Sequence, residues 1–253
     1  MTVRTLILAL ALVLGHCSCV LAQQFRVLLV TETAGWHHPS IAAAVPAVQK
    51  LAQRHVFRLD WHQQFKQLDD EQLKNYDVLL FINTTGDILN DEEQAAVERF
   101  VQSGKGFVGV HAASDTEYDW PWYTKMIGHM FKIHPKEQTA MLNVLDTDFP
   151  GLTRWAKRTM WTDEWYEYHD GTRQPGFNYL LTVDESTYDV ATKWGTNVAL
   201  GHGDFHPIAW YREYDGGRMF YTGLGHIPAI YEDPAFLDHL LGGLYYAAKG
   251  HTR

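Results

Sequence analysis

The sequence has 253 residues, of which 46% are apolar, and this is enough apolar material for the core of one large domain. Acidic side chains outnumber basic ones by 30 to 21, which gives a formal net charge of −9 at pH 7. This acidic balance, without any basic run, argues against nucleic acid or an anionic membrane surface as a partner.

The N-terminus is typical of a secretory signal peptide. A basic start, an apolar stretch over residues 5–14 and a small-residue cleavage site before Gln23 predict a signal peptide over residues 1–22. The apolar stretch is too short to span a bilayer. We therefore expect a secreted or periplasmic protein whose single domain covers residues 23–253. Both cysteines lie in the signal peptide, so the mature chain would have no disulfide and no thiolate ligand.

The first half of the domain alternates predicted strands and helices. Continuous apolar runs predict buried strands over residues 25–31 and 77–83, and another that ends at His111. Alternation of apolar and polar residues predicts an edge strand over 56–61. The predicted helices cover residues 39–54, 68–75 and 90–103. This order of elements is typical of a doubly wound, mainly parallel sheet with helices on both faces.

Local signals place the ends of these helices. Asn90 and Glu93 form a capping-box pattern, and Gly104 predicts the end of the helix that follows them. Pro46 lies inside the first predicted helix, where it would remove a backbone hydrogen bond. We expect a kink or an early restart of the helix at that position.

The second half changes to an antiparallel pattern. Residues 207–214 and 218–222 predict a hairpin across Asp215-Gly216-Gly217, as a C-terminal extension of the sheet. The other predicted elements are a helix over 120–130, strands over 139–145 and 179–184, and a closing helix over 234–248. The predicted fold class is therefore α/β.

Two histidines follow predicted parallel strands directly. His38 lies in the loop after the first strand, and His111 ends the strand over residues 106–110. Ligands of open α/β sheets bind beyond the carboxyl ends of the strands, so these imidazoles could converge. Histidine is the commonest neutral metal ligand, and such a pair suits zinc or another divalent ion. The alternative is that His38 caps a helix and His111 is a satisfied core residue.

Further candidate residues lie later in the chain. Glu164 and Tyr166 would share one face of an extended segment, with Glu164 as metal ligand or general base; the alternative is a solvated acidic turn. His206, before Pro207, and His226, after a glycine-rich loop, could each be an acid–base group or a ligand, or could be structural. Because sugars stack their C–H faces on indole, we predict that Trp120 and Trp165 flank the site.

These motifs together resemble the ThuA-like (trehalose-utilisation) family. The resemblance extends in order over nearly the whole mature chain. The matching segments are residues 33–41 (TAGWHHPSI), 83–87 (NTTGD), 106–116 (GFVGVHAASDT), 119–123 (DWPWY), 163–166 (DEWY), 206–210 (HPIAW) and 221–226 (YTGLGH). His134, before Pro135, also matches the family pattern.

The resemblance implies a flavodoxin-like sheet of the class I glutamine amidotransferase type. Amidotransferases of that fold carry a nucleophilic cysteine at the strand end where this chain has His111. An imidazole cannot form the acyl-thioester, so glutamine hydrolysis is excluded. Relatives are associated with sugars whose C3 hydroxyl has been oxidised to a ketone, which implies a carbohydrate substrate.

We therefore predict a carbohydrate-catabolic enzyme acting on a disaccharide or 3-keto-glycoside by isomerisation, elimination or hydrolysis. A divalent metal, preferably zinc, bound by His38, His111 and His226 would assist the reaction, and no nucleotide or flavin is expected. His111, Glu164, His206 and Tyr166 are the candidate catalytic residues, whereas Trp120, Trp165, Asp115 and His134 are candidates for substrate binding. The alternatives are a carbohydrate-binding or scaffold protein without chemistry, and hydrolysis by two carboxylates.

Overall fold

The computed structural model describes residues 23–62 and 68–250. The predicted signal peptide, residues 1–22, lies outside the described residues. Within the described ranges, no helix is long and apolar enough to cross a membrane.

The described chain forms strands throughout and helices mainly in its first half and at its end. The strands are β1 Arg26–Val30, β2 Arg58–His62, β3 Val78–Ile82, β4 Gly106–Val110, β5 Phe131–Ile133, β6 Gln138–Val144, β7 Arg158–Asp163, β8 Glu167–Tyr168, β9 Asn178–Asp184, β10 Thr192–Trp194, β11 Asn197–Ala199, β12 Pro207–Tyr214 and β13 Gly217–Thr222. The α-helices are α1 Ile41–His55, α2 Asp70–Leu73, α3 Asp91–Gln102, α4 Pro121–Ile127 and α5 Pro234–Lys249.

Nine strands form one mixed sheet in the order β2-β1-β3-β4-β13-β12-β9-β6-β7. The pairs from β2 to β13 are parallel, and the remaining strands continue antiparallel. The predicted α/β class with a mainly parallel first half is confirmed. The predicted hairpin of β12 and β13 joins the sheet directly, because β13 pairs in parallel with β4.

Each face of the sheet is covered by its own core. Along β1, Val27 and Leu29 pack with residues of α1 and α5, whereas Leu28 and Val30 face α3 and α4. Successive side chains of a strand point to opposite faces, so an unbroken apolar run is what a strand covered on both sides requires.

The capping box and the hairpin turn agree with the prediction, whereas the predicted alternative of a restart at Pro46 does not occur. Asn90 and Glu93 form the predicted capping box, and Asp215 and Gly216 both take the positive φ that a two-residue hairpin turn needs. The helix α1, however, continues through Pro46 without a restart. Pro46 lies in the second turn of α1, and the single hydrogen bond it removes is outweighed by the packing of α1 on the sheet.

Candidate metal centre

Three histidines and a glutamate converge where four strands of the main sheet end. His38 follows β1, His111 follows β4 directly, His226 follows β13 and Glu164 follows β7. One potential ligand atom from each residue lies within 4.8 Å of the others. His38, His111 and Glu164 are buried and His226 is half-buried. These four residues, called the rim cluster below, could hold a metal ion.

Three atoms of the rim cluster form a nearly equilateral triangle. His111 Nε2 lies 3.2 Å from His226 Nδ1 and 3.3 Å from Glu164 Oε2, and the third edge, from His226 Nδ1 to Glu164 Oε2, is 3.1 Å. A tetrahedral ion with bonds of about 2.0–2.1 Å holds its ligand atoms about 3.3 Å apart. The spacing therefore matches a coordination set as well as a hydrogen-bonded one.

The hydrogen-bond pattern favours coordination. Among the described residues, Glu164 Oε2 has no partner at a hydrogen-bonding angle despite its two close nitrogens, and the buried Nδ1 of His38 has no partner either. The His38 ring meets the rings of His111 and His226 edge-on, with centroids 5.2 and 5.4 Å apart. Buried polar atoms without partners are costly, and a cation bound among these atoms would satisfy them.

Neighbouring groups orient two of the imidazoles. His111 Nδ1 lies 2.9 Å from the carbonyl oxygen of Gly223, so it donates a hydrogen bond and leaves the Nε2 lone pair facing the cluster. His226 Nε2 lies 3.1 Å from Glu137 Oε1 on its outer side, which directs Nδ1 inwards. Histidine ligands of metal ions are commonly held in this way by a carbonyl or carboxylate.

The backbone brings His111 and His226 together through two unusual conformations. His111 itself takes a positive φ of 50° at the end of β4. Gly225 has φ +128°, and a side chain there would approach Val110 to 2.7 Å, so the loop can pass the end of β4 only with glycine. The buried carboxylate of Asp163 accepts hydrogen bonds from the amides of Gly225 and His226 and fixes this loop.

The electrostatics of the cluster suit a cation. Burial and the neighbouring imidazoles lower the pKa of His38 to about 3, so its ring is neutral at ordinary pH. Burial favours a higher pKa for Glu164, but interactions with His111, His134 and His226 outweigh it and hold the pKa well below its usual range. Burial opposes protonation of His226, yet Glu164 raises its pKa. The cluster thus combines an anion with imidazoles, and a metal ion can take the place of the proton on His226.

Three members of the rim cluster, His38, Glu164 and His226, line the floor of a cavity of about 430 Å³, and His111 lies beneath it. This volume lies within the range of small-molecule sites, which is roughly 300–1,000 Å³. Acidic and imidazole groups lie beside aromatic rings in its lining. The lining residues are Trp36, His38, Asp115, Phe131, His134, Glu164, Tyr166, Trp194 and His226.

Most of the predicted site residues lie together in or beside this cavity. Tyr166 packs on His111 with ring centroids 4.1 Å apart, so it shares the site with Glu164 as predicted from the alternation. His134 Nδ1 lies 3.0 Å from Glu164 Oε1. Asp115 is half-buried, accepts a hydrogen bond from the Tyr118 hydroxyl at 2.7 Å, and has a pKa raised by burial. The other members are His38, His111 and His226.

His206 does not join the rim cluster. Its Nδ1 lies 2.7 Å from Glu185 Oε1, and its Nε2 lies 2.8 Å from the backbone oxygen of Tyr166. The ring is buried behind Tyr166 and does not line the cavity. His206 is therefore not placed to contact a ligand in the cavity. Together with Glu185 it is placed to hold the backbone of Tyr166.

Trp120 and Trp165 do not flank the cavity. Trp120 is 6% exposed, stacks between Trp122 and Tyr123 and donates its Nε1 hydrogen to Glu98. Trp165 is 1% exposed and donates its Nε1 hydrogen to the backbone oxygen of Gln138. Both indoles are core residues, because the packing of their segments turns them away from the rim.

Sequence reasoning counted Trp36 and Trp194 among the tryptophans that could bind a sugar but selected Trp120 and Trp165 instead, and it missed Phe131 and Glu137. Trp36 adjoins the predicted His37-His38 pair, so its position in the chain was a usable signal. Phe131, Trp194 and Glu137 carried no local signal, because only the return of later segments over the rim brings them to the site.

Comparison with known proteins places the chain in a sequence family and relates it to solved structures. The family model described as "ThuA: Trehalose utilisation" matches residues 26–247. No curated protein matches the sequence.

The solved structures show the same fold. A ThuA-like protein from Bacteroides uniformis has a TM-score of 0.75 at 21% identity, covering 91% of this chain and 94% of its own. A ThuA-like protein from Parabacteroides merdae has a TM-score of 0.66 at 20% identity, with 90% and 91% covered. A β-galactosidase from Bacillus circulans has a TM-score of 0.52 at 12% identity, and the match covers 87% of this chain but 30% of that enzyme. At these identities the similarity concerns the fold.

Proposed function

The chain belongs to the ThuA (trehalose utilisation) family, and from this premise we propose a metal-assisted enzyme that cleaves 3-keto-glycosides by elimination. The family supports a carbohydrate-related role. The observation that carries the rest of the proposal is the rim cluster, whose four ligand atoms lie within 4.8 Å of one another at the floor of a cavity. We also propose that the protein is exported, with its mature chain beginning at Gln23.

Zinc fits the donor set best. His38, His111 and His226 offer imidazole nitrogens and Glu164 offers one carboxylate oxygen, the ligand types that zinc accepts. A divalent ion held by three of these side chains would keep a coordination position for a carbonyl oxygen of the substrate and would act on it as a Lewis acid. The proton at C2, next to a C3 ketone, is then acidic enough for a side chain to remove.

His134 is the best-placed base. Its Nδ1 lies 2.8 Å from the carbonyl oxygen of Pro135 and 3.0 Å from Glu164 Oε1. Both neighbours are acceptors, so Nδ1 carries the hydrogen and Nε2 keeps the lone pair. The carboxylate of Glu164 then stabilises the positive charge that develops on the ring when Nε2 accepts a proton.

The proposed step moves one proton and needs only the substrate and the His134 imidazole. Nε2 of His134 takes the proton from C2, the C2–H electron pair forms a C1=C2 double bond, and the bond from C1 to the glycosidic oxygen breaks. The imidazolium returns its proton to the departing oxygen, which leaves as an alcohol. Asp115, anchored by Tyr118, accepts a hydrogen bond from a sugar hydroxyl, and the Tyr166 ring covers His111.

In hydrolysis by two carboxylates Glu164 could not be the proton donor, and that role would fall to Asp115, whose pKa is raised by burial. That mechanism needs one carboxylic acid with a raised pKa as proton donor. Glu164 has a pKa well below its usual range, because its interactions with three imidazoles outweigh burial. It therefore serves as a permanent anion rather than as an acid.

The test combines metal analysis with turnover. The purified mature protein should contain about one zinc per chain and should cleave a 3-keto-disaccharide, with the activity lost on chelation and restored by zinc. His38→Ala should lose both metal and activity, whereas His37→Ala, at the exposed neighbour whose Nδ1 lies 3.3 Å from the Thr33 hydroxyl, should keep both.

Two outcomes would contradict the proposal. One is a protein that retains no metal and turns over no 3-keto-sugar with or without added zinc. The other is sugar affinity that survives both chelation and His111→Ala without any turnover, which would indicate a carbohydrate-binding protein instead.

A further inference from the structure

The cavity has polar residues at its floor and tryptophans at its mouth. The exposed fraction of the side chains shows which residues lie deep and which lie near the surface. The floor residues His38 and Glu164 are 3% and 5% exposed, whereas Trp36 and Trp194 are 70% and 45% exposed. Both tryptophans line the same cavity as the floor residues. A ligand group that reaches the rim cluster must therefore lie deeper in the cavity than these two indoles. Any group attached to it must extend outwards between or beside them.

Trp36 is exposed although its backbone is firmly held. The amides of Ala34 and Gly35 donate to the backbone oxygen of Thr85 at 2.7 and 3.2 Å. The hydroxyl of Thr85 donates in turn to the backbone oxygen of Trp36 at 2.9 Å. A large apolar ring on an ordered loop at the mouth of a cavity is suited to contact with a ligand.

Trp194 comes from a later segment of the chain and packs against His134, the proposed base. It ends β10, which pairs with β11 in a separate two-stranded hairpin. Its ring meets that of His134 edge-on with centroids 4.5 Å apart, and Phe131 lies 6.3 Å away. The Trp194 indole therefore lies directly beside the polar residues of the floor. Trp36, Phe131 and Trp194 carry no charge, so this part of the cavity favours a neutral group with a flat apolar face.

We infer that Trp36 and Trp194 bind the leaving group of the substrate, and that this group is a second pyranose ring. This inference rests on the proposed function, because the 3-keto ring must occupy the floor for the leaving group to reach the mouth. A pyranose presents a face of C–H groups that stacks on indole and covers it from water. A single sugar at the floor would leave both indoles uncovered.

The experiment compares two ligands and three variants of the metal-loaded protein. Calorimetry measures the binding of a 3-keto-disaccharide and of methyl 3-keto-glucoside, and turnover of both is followed in parallel. Trp36→Ala is the main variant because its exposed ring contributes little to folding, and the Trp36→Ala/Trp194→Ala double variant extends it. Trp61→Ala, an exposed tryptophan on β2, is the matched control.

We expect the wild-type protein to bind the disaccharide about tenfold more tightly than the methyl glycoside. Trp36→Ala should lose part of that preference and the double variant most of it, through KM rather than kcat. Trp61→Ala should keep the preference. Binding and turnover of the methyl glycoside should change less than about twofold in Trp36→Ala, because this ligand does not reach the mouth.

The outcomes separate this inference from the proposed function. Equal binding of the two ligands by the wild type, or a preference that persists in the double variant, overturns the inference. An equal loss of methyl glycoside binding in Trp36→Ala also overturns it, because it shows a merely structural role. If neither sugar is turned over but the preference exists and disappears with the two indoles, the proposed elimination fails and the disaccharide site at the mouth stands.

Discussion

His239, on α5, is a buried histidine without a hydrogen bond to any described residue, and it provides a quantitative test of the packing. Its ring lies in the core between Phe220 and Trp155, with centroid distances of 5.2 and 5.8 Å. Neither ring nitrogen has a hydrogen-bond partner among the described residues. A buried polar group without a partner costs about 1–3 kcal/mol. His239→Leu should therefore stabilise the fold by about that amount near neutral pH.

The same burial makes the stability depend on pH. Burial lowers the pKa of His239 from 6.5 to about 3. The unfolded chain therefore takes up a proton as the pH falls below 6.5, whereas the folded chain does so only near pH 3, and stability is lost across that window. At about pH 5 this residue alone removes about 2 kcal/mol of unfolding free energy relative to about pH 7.5.

Denaturant unfolding at these two pH values, with chelator present to remove metal linkage, measures the effect. The matched control is His129, which is also buried but whose ring nitrogens lie 2.5 Å from the Asp170 backbone oxygen and 2.9 Å from the Tyr179 hydroxyl. His129→Leu should destabilise by about 1–3 kcal/mol because it removes both of these hydrogen bonds. The reasoning is refuted if wild type and His239→Leu lose equal stability between the two pH values.

Three further predictions concern the site and the fold. Glu137→Gln should weaken zinc binding about 10–100-fold in a competitive chelator titration, because the carboxylate orients His226; unchanged affinity would deny it that role. His206→Leu should lower kcat about tenfold at full metal content, because Tyr166 loses its support, and loss of metal instead would place His206 in the cluster. Asn90→Ala should lower the unfolding free energy by about 1 kcal/mol in urea titrations, and a neutral result would mean that the cap contributes nothing.

The parallel half of the fold was predictable because its signals are local. The runs that became β1, β3 and β4 are apolar at successive positions, as burial on both faces requires, and β2 alternates as an edge strand does. The strand β7 was not predicted, since its arginine, threonines and exposed methionine do not form an apolar pattern. It is an outer strand whose pairing with β6 comes from tertiary contacts.

The histidines show where sequence reasoning about the site ends. His38 and His111 could be placed at the rim because both follow parallel strands, and the carboxyl ends of such strands share one edge. His206 and His226 had equally good local signals, yet only His226 reaches the cluster. The difference arises because β13 pairs in parallel with β4, so that its end lies beside His111, and this pairing is not encoded near either residue.

The amino-acid sequence alone determined the fold class, the family and the residue types that can carry the chemistry, because apolar periodicity, caps and turn residues act over a few positions. Only the tertiary structure decided which imidazoles meet Glu164, which tryptophans are core and which line the mouth. Those outcomes depend on strand order and on side-chain direction across distances of many residues. Ligand geometry within a few ångströms is set by the whole sheet rather than by any one segment.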